Sequence, residues 1–283
     1  MTVTDELPRP TVPPRPRRKT TSGVAHRQKM KLRLWQLLAV AVVLLIWTLV
    51  YVSGYFSREL VPSVWDVAVN VVGLALDVEF WRALASTVSN ALIALVLATV
   101  VGVPIGLVLG ISPALHRATQ FLVDLGRAFP VIALLPVMIL IFGATSQMEI
   151  VVVFAGVVWP IMLQTIDGAR RVEPVIADTV RAYRIPLRLR YVKVILPNAA
   201  PFAVTGIRIA AAASILIALG VEVLSLTPGM GGNLSRAQTD GAPALALAYV
   251  VYAGLVGLLA NKVLWAIEGK LLAWNRRGVE VPR

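Results

Sequence analysis

Six long apolar runs separated by polar segments organise this chain. A helix needs about 20 predominantly apolar residues to cross the hydrocarbon core of a membrane, and each run is near that length or longer. The pattern therefore predicts an all-α, polytopic membrane protein with six transmembrane helices. The expected spans cover residues 34–56, 84–111, 118–142, 148–166, 200–226 and 244–268.

The segments between these spans differ in character. Residues 64–76 are apolar enough to predict a surface helix before the second span, and residues 112–117 are short enough for a simple turn. Residues 227–243 are rich in Gly and polar residues and predict a loop. Glu149, beside the start of the fourth span, is expected only to mark where that helix begins.

Two polar tails flank the predicted transmembrane domain, residues 34–268. Residues 1–33 are rich in Pro and Arg and too polar to bury a core, which predicts a disordered basic tail. Residues 269–283 form a second basic tail. Hydrophobic residues make up 58% of the chain and charged residues only 15%, whereas soluble domains carry about 25% charged residues. The composition therefore excludes an ordinary soluble domain.

The positive charges are distributed asymmetrically. With six spans, the two tails, residues 112–117 and residues 167–197 lie on one side and hold most Lys and Arg residues, whereas the other side holds only Arg58, Arg82 and Arg236. Basic loops stay in the cytoplasm, so both termini and residues 167–197 are predicted to be cytoplasmic. This orientation accounts for the net charge of +12, and no nucleic-acid partner is expected. The chain has no cysteine, which excludes Cys-based metal and thiol chemistry.

The cytoplasmic segment 167–197 has a pattern of its own. Pro174 suits the first position of a helix, and apolar residues follow it at helical spacing. Pro186 is expected to end that helix, because the residue before a proline disfavours helical geometry, and Pro197 is expected to end a second segment, residues 187–195. Two short helices joined at a proline predict a rigid projection that docks on a soluble partner. The alternative is a helix lying flat on the lipid surface with its Arg residues on phosphate groups.

This segment resembles the cytoplasmic loop of permease subunits of bacterial ABC importers. In that family Glu-Ala-Ala is followed by a glycine and later by a closing Leu-Pro. Leu196 and Pro197 match the closing pair. Residues 178–180, Asp-Thr-Val, then fall on the Glu-Ala-Ala positions, and Arg184 falls on the glycine. The frame matches the family, whereas the helix and its turn depart from the pattern.

Other parts of the chain resemble the same family in the same order. They are Ser86-Thr87 leading into Gly102–Gly106, then Arg127–Pro130 with Leu135-Pro136 and Phe142-Gly143, and finally Gly206–Ala210, Glu222 and Gly229–Gly231. The likeness covers most of residues 62–268 and is strongest to permeases of the nitrate, sulfonate and taurine type.

The resemblance implies a type I importer permease in the bacterial plasma (inner) membrane. A second permease copy, two cytoplasmic ABC ATPase subunits and an extracytoplasmic binding protein are the implied partners, together with membrane lipid. The implied solute is a sulfonate, a nitrate-like ion or another small organic anion. ATP and Mg²⁺ would be bound by the ATPase, and this chain would need no cofactor or metal. The chain itself has no G-x-x-x-x-G-K-[ST] phosphate loop and is not expected to be an enzyme.

The resemblance also assigns a docking role to the loop. Val180 and Tyr183 are expected to be buried in a groove of the ATPase, with Arg181 and Arg184 at the rim, so Val180→Glu should abolish co-purification. The full set of expected docking residues is Asp178, Thr179, Val180, Arg181, Ala182, Tyr183, Arg184, Pro186, Leu196 and Pro197.

Four charged residues inside the spans are candidates for the translocation path or its gate. Glu222 lies near the outer mouth. It either lines the outer gate or contacts the binding protein, or it makes a structural hydrogen bond to a neighbouring helix. Asp124 and Arg127 are three residues apart and can pair; alternatively, Arg127 faces the path and attracts an anion. Arg208 lies near the inner end of its span, where snorkelling to the head groups is a sufficient explanation.

Two other functions compete with an ATP-driven importer. An ion-coupled secondary transporter often shows inverted repeats, and no convincing repeat relates the two halves of this chain. Transport by the purified chain without an ATPase would favour that alternative. A membrane-embedded enzyme would need clustered His, Asp, Glu or Ser at helical spacing, which the spans lack.

Overall fold

The computed structural model describes residues 22–57 and 60–271, and these residues are organised as helices. The predicted all-α class is confirmed. The elements are α1 (Ser22–Val52), α2 (Val64–Leu76), α3 (Val78–Ile111), α4 (Pro113–Ala128), a 3₁₀ turn (Val131–Leu134), α5 (Leu135–Phe142), α6 (Ser146–Arg170), α7 (Pro174–Ala182), α8 (Leu187–Arg190), a π-helical turn (Tyr191–Ile195), α9 (Leu196–Ser225), α10 (Met230–Thr239) and α11 (Pro243–Leu271).

Five helices among the described residues are long and apolar enough to cross a membrane, and a sixth span exists only if α4 and α5 count as one. These two helices meet at a bend of 85°, so the third span expected over residues 118–142 is not one continuous helix. Phe129 has extended backbone angles directly before Pro130, as the clash with a following proline ring requires. The predicted number of spans therefore depends on how a proline-broken helix is counted.

Several segments that the sequence assigned to tails, turns or loops are helical. α1 begins at Ser22, within the predicted disordered tail. The expected turn 112–117 shrinks to Ser112, which accepts a hydrogen bond from Leu115 N at 3.3 Å and caps α4. The expected loop 227–243 contains α10. The surface helix 64–76 has the predicted bounds, whereas residues 1–21 and 272–283 of the predicted tails lie outside the described residues.

The chain divides into two compact units, of which the first runs to Ser53 and contains α1. In the second unit, α3, α6 and α9 pack around a core of small and branched apolar side chains. A Cβ placed on Gly106 would lie 2.7 Å from the carbonyl oxygen of Met162, and one on Gly110 would lie 2.6 Å from the Cβ of Ala169. Small residues allow such close helix contact in lipid, so these glycines serve the packing of α3 against α6 within the chain.

Candidate functional site

The base of the loop between α6 and α9 is fastened to the helix bundle. Asn198, in the first turn of α9, donates through Nδ2 to the carbonyl oxygens of Gly168 at 2.9 Å and Arg171 at 2.7 Å. These carbonyls belong to the end of α6, where backbone oxygens lack helical partners. Arg171 also lies over the ring of Phe202, 5.5 Å from its centroid. The loop therefore leaves the bundle from a fixed base.

The first helix of the loop begins at Pro174 as predicted, but it ends before Pro186. Arg184 has φ +46°, and its N–H donates to the carbonyl of Arg181 at 3.1 Å. The N–H of Ile185 donates to the carbonyl of Val180 at 3.1 Å. These two bonds form a Schellman motif, with Arg184 at the left-handed position that is usually glycine. The turn that glycine provides in the resembled family is thus present here with an arginine.

The structure separates the expected docking residues into exposed and buried ones. Tyr183 is 79% exposed, whereas Val180 is only 7% exposed and already packs within the chain. The expectation that Val180 enters a partner groove is therefore wrong, because this side chain is already buried within the chain. Asp178 and Arg181 pair with each other at 3.7 Å in solvent. The remaining expected residues lie on the surface of the loop or at the start of α9: Thr179, Ala182, Arg184 and Pro186 are exposed, Leu196 is exposed and Pro197 is half-buried.

Pro197 does not end the second segment of the loop. The chain stays helical from Leu187 to Ser225, and a π-helical turn over Tyr191–Ile195 precedes the proline. The N–H of Leu196 donates to the carbonyl of Tyr191, five residues back. A proline in a regular α-helix lacks its N–H and clashes with the carbonyl four residues earlier. We attribute the continuity of the helix to the wider π turn, which spaces the carbonyls differently.

Three of the four charged path candidates form ion pairs. Asp124 Oδ1 lies 3.2 Å from Arg127 Nε, which confirms that these residues pair on α4. Arg208 Nη1 lies 2.7 Å from Glu268 Oε2. Snorkelling is therefore the wrong account of Arg208, because its guanidinium joins α9 to α11 instead.

Glu222 is fully buried, and its carboxylate has two hydrogen-bond partners. Its carboxylate accepts hydrogen bonds from Thr87 Oγ1 at 2.7 Å and from the N–H of Gly231 at 2.7 Å. Thr87 Oγ1 also accepts from the N–H of Met230 at 2.9 Å. The cluster thus ties α3, α9 and the first turn of α10 together. Of the two readings of Glu222, this geometry favours the structural hydrogen bond.

Glu149 belongs to the same buried region, so the expectation that it only marks a helix start is wrong. Its side chain is fully buried, and Oε2 accepts from Asn90 Nδ2 at 2.8 Å. Sequence analysis missed Asn90 and the role of Thr87. Their signal was present, because two polar residues three positions apart in an apolar span share one helix face.

The comparisons with known proteins agree on the kind of molecule. Residues 102–271 match the family described as binding-protein-dependent transport system inner membrane component. The nitrate import permease of Leptolyngbya laminosa is 25% identical over 216 residues, which cover 76% of this chain and 77% of the relative. The taurine transport permease of Escherichia coli is 24% identical over 241 residues, 83% of this chain and 88% of the relative. In fold, a chain of the inward-facing MetNI methionine ABC transporter matches with a TM-score of 0.55 at 19% identity, over 67% of this chain and 96% of that chain.

Proposed function

Because this chain belongs to the family of inner membrane components of binding-protein-dependent transport systems, we propose that two copies of it form a translocation path driven by two ABC ATPase subunits. Membership confirms the resemblance seen in the sequence and makes the chain the permease component of an ABC importer. ATP and Mg²⁺ belong to the partner ATPase in this proposal. A separate extracytoplasmic binding protein delivers the solute.

The exposed apolar surface of α7 carries the proposal. Val175 is 73% exposed, Ile176 41% and Tyr183 79%. At 100° per residue these three side chains share one broad face of the helix. Exposed aromatic and aliphatic anchors beside arginines are typical of docking surfaces, and the fixed base at Asn198 gives the surface a defined position. We therefore assign ATPase docking to this face of α7.

The same arrangement supports the transmission of movement. α7 follows the end of α6 directly and is followed by α8, which continues into α9 without a break. A force applied by the ATPase to α7 therefore acts on two core helices at once. We further propose that α7 and both termini lie in the cytoplasm, because the distribution of basic residues favours this orientation.

The solute is proposed to be a small anion or zwitterion that carries an oxyacid group. The nitrate and taurine permeases among the relatives support this class. Nitrate is an oxyanion and taurine carries a sulfonate group, so both compounds present negatively charged oxygens with delocalised charge.

Co-purification of the partner ATPase with Tyr183→Ala tests the docking assignment. Removing an exposed tyrosine anchor should lower the affinity of the complex roughly tenfold or more, while the thermal stability of the permease stays unchanged. Trp65→Ala is the matched control. Trp65 is also an exposed aromatic residue, with 75% of its surface accessible, but it lies on α2, which leads into the start of α3 at the other end of the bundle. Equal recovery of the ATPase with the Tyr183 and Trp65 variants would refute docking through this face.

A further inference from the structure

We propose that a small cavity between the beginnings of α3 and α10 binds the oxyacid group of the transported solute. The proposal deepens the proposed function, on which the identity of the ligand as a transported solute rests. The cavity has a volume of about 220 Å³. Its polar lining comes from Glu79, Arg82 and Ser86 on α3 and from Asn233 and Arg236 on α10.

The two arginines have their charge available for a ligand. Arg236 Nη1 donates to Asn233 Oδ1 at 2.9 Å, and Nη2 donates to the carbonyl of Leu226 at 3.4 Å. These bonds hold the guanidinium in place without neutralising it. Arg82 forms no ion pair with any described residue, and Glu79 pairs with neither arginine. The cavity wall therefore holds two cations and one carboxylate, and no ion pair joins them.

The chemistry of this lining selects an oxyacid group. Guanidinium groups present planar pairs of donors that match the oxygens of carboxylates, sulfonates and related oxyanions. The Ser86 hydroxyl adds a donor beside them. Two arginines against one glutamate leave a net positive lining, which favours a single negative charge. Pockets for drug-sized ligands begin near 300 Å³, so the smaller cavity fits a solute of only a few heavy atoms.

The location of the cavity is consistent with solute arrival. α10 is fixed to α9 at Glu222, and the docking loop is fixed to α9 at Asn198. These residues are 24 positions apart in one helix, which corresponds to about 36 Å. The cavity therefore lies at the end of the bundle opposite α7, where a solute enters if the ATPase docks on α7.

Binding of trifluoromethanesulfonate tests the proposal directly. The full-length permease is purified with its ATPase in lipid nanodiscs, and broadening of the ¹⁹F signal of this small sulfonate is titrated without binding protein. Arg82→Gln should weaken binding about tenfold, the effect of losing one charge-assisted contact, and Glu79→Gln should strengthen it. Arg190→Gln, on α8 at the other end of the bundle, is the matched control and should change nothing. Neutral trifluoroethanol should show no saturable broadening.

The outcomes separate this proposal from its rivals. Absence of saturable broadening with the wild-type protein, or equal weakening by Arg82→Gln and Arg190→Gln, would overturn it. If Arg82→Gln leaves sulfonate binding intact but lowers stimulation of the ATPase by the binding protein, the surface is a protein-docking site and the proposal is wrong. The guanidinium of Arg236 also holds α10. The variant tested at this position is therefore Arg236→Lys and not a glutamine substitution. If the ATPase fails to co-purify with the permease while sulfonate binding stays intact, the result would count against the proposed function and not against the cavity.

Discussion

α7 and α10 are both short helices between consecutive core helices, and they differ in how they are attached. α10 packs against α3, α9 and α11, and its first turn is held by buried hydrogen bonds that the N–H groups of Met230 and Gly231 donate to Thr87 and Glu222. α7 has no comparable helix contact among the described residues, and it exposes Tyr183. The difference shows that α10 completes its end of the bundle within the chain, and it supports the proposal that a partner covers α7 at the other end.

The two helices nevertheless end in the same motif. At the end of α10, Gly241 has φ +69°, its N–H donates to the carbonyl of Gln238 at 3.3 Å, and the N–H of Ala242 donates to that of Ala237 at 2.9 Å. The end of α7 repeats both bonds around Arg184. The same motif therefore occurs once with the favoured glycine and once with an arginine. The left-handed conformation of the arginine destabilises the fold, because its Cβ lies close to the following carbonyl oxygen.

Gly232→Ala should produce the largest effect on the α10 side. Its new Cβ would overlap the backbone oxygen of Thr227, and a backbone atom cannot move aside as a side chain can. We expect a loss of about 3 kcal/mol in stability, measured by thermal unfolding in detergent. Gly254→Ala on α11, where nothing lies within 4 Å of the new Cβ, is the control and should not destabilise. Similar unfolding temperatures for the two variants would contradict tight attachment of α10.

Thr87→Val should have the next largest effect. It keeps the shape of the side chain but removes the hydroxyl that donates to Glu222 and accepts from the N–H of Met230. Two buried polar groups then lose a partner, at a cost of about 2 kcal/mol. Hydrogen exchange should accelerate in α10 and remain unchanged in α7.

Thr99→Val provides the comparison on the same helix. Thr99 Oγ1 bonds only to the carbonyl of Leu95 within α3, so the variant should leave exchange in α10 as it is in the wild type. Acceleration by both variants would mean that α10 senses the general stability of α3 rather than the specific contact with Thr87.

Gly241→Ala should cost about 1 kcal/mol, because it places a Cβ in the left-handed region. The loss is expected in thermal stability, with ATPase co-purification unaffected. Open space surrounds this glycine, so a destabilisation can be assigned to the backbone conformation. An unfolding temperature equal to that of the wild type would show that the left-handed turn is not required there.

Arg184→Gly should give the smallest effect, and it should stabilise. Glycine removes the left-handed cost but also increases the entropy of the unfolded chain, so the net gain is roughly 0.5 kcal/mol. Slower hydrogen exchange at Ile185, whose N–H closes the motif, would report it. Faster exchange at that amide would mean that the arginine side chain itself stabilises the turn.

The sequence predicted features that follow from local chemistry and missed those that need distant partners. The apolar runs located the core helices, and Pro174 located the start of α7. The helical state of residues 230–239 was missed because its Gly-rich start is stabilised by Glu222 and Thr87, which are remote in the chain. Val180 was assigned to the partner surface because helical periodicity shows which residues share a face but not which of them the rest of the chain already covers.

The π-helical turn at Tyr191–Ile195 helps to set the direction in which the proposed docking face of α7 points. Its one additional residue shifts the helical phase of everything before it by about 100° relative to α9. The azimuth of α8, and of α7 attached to it, is therefore encoded in the number of residues rather than in their identity. Deleting a single residue from this turn would rotate the proposed docking face of α7 by about a quarter turn around the helix axis, a rearrangement that no substitution in α7 would reproduce.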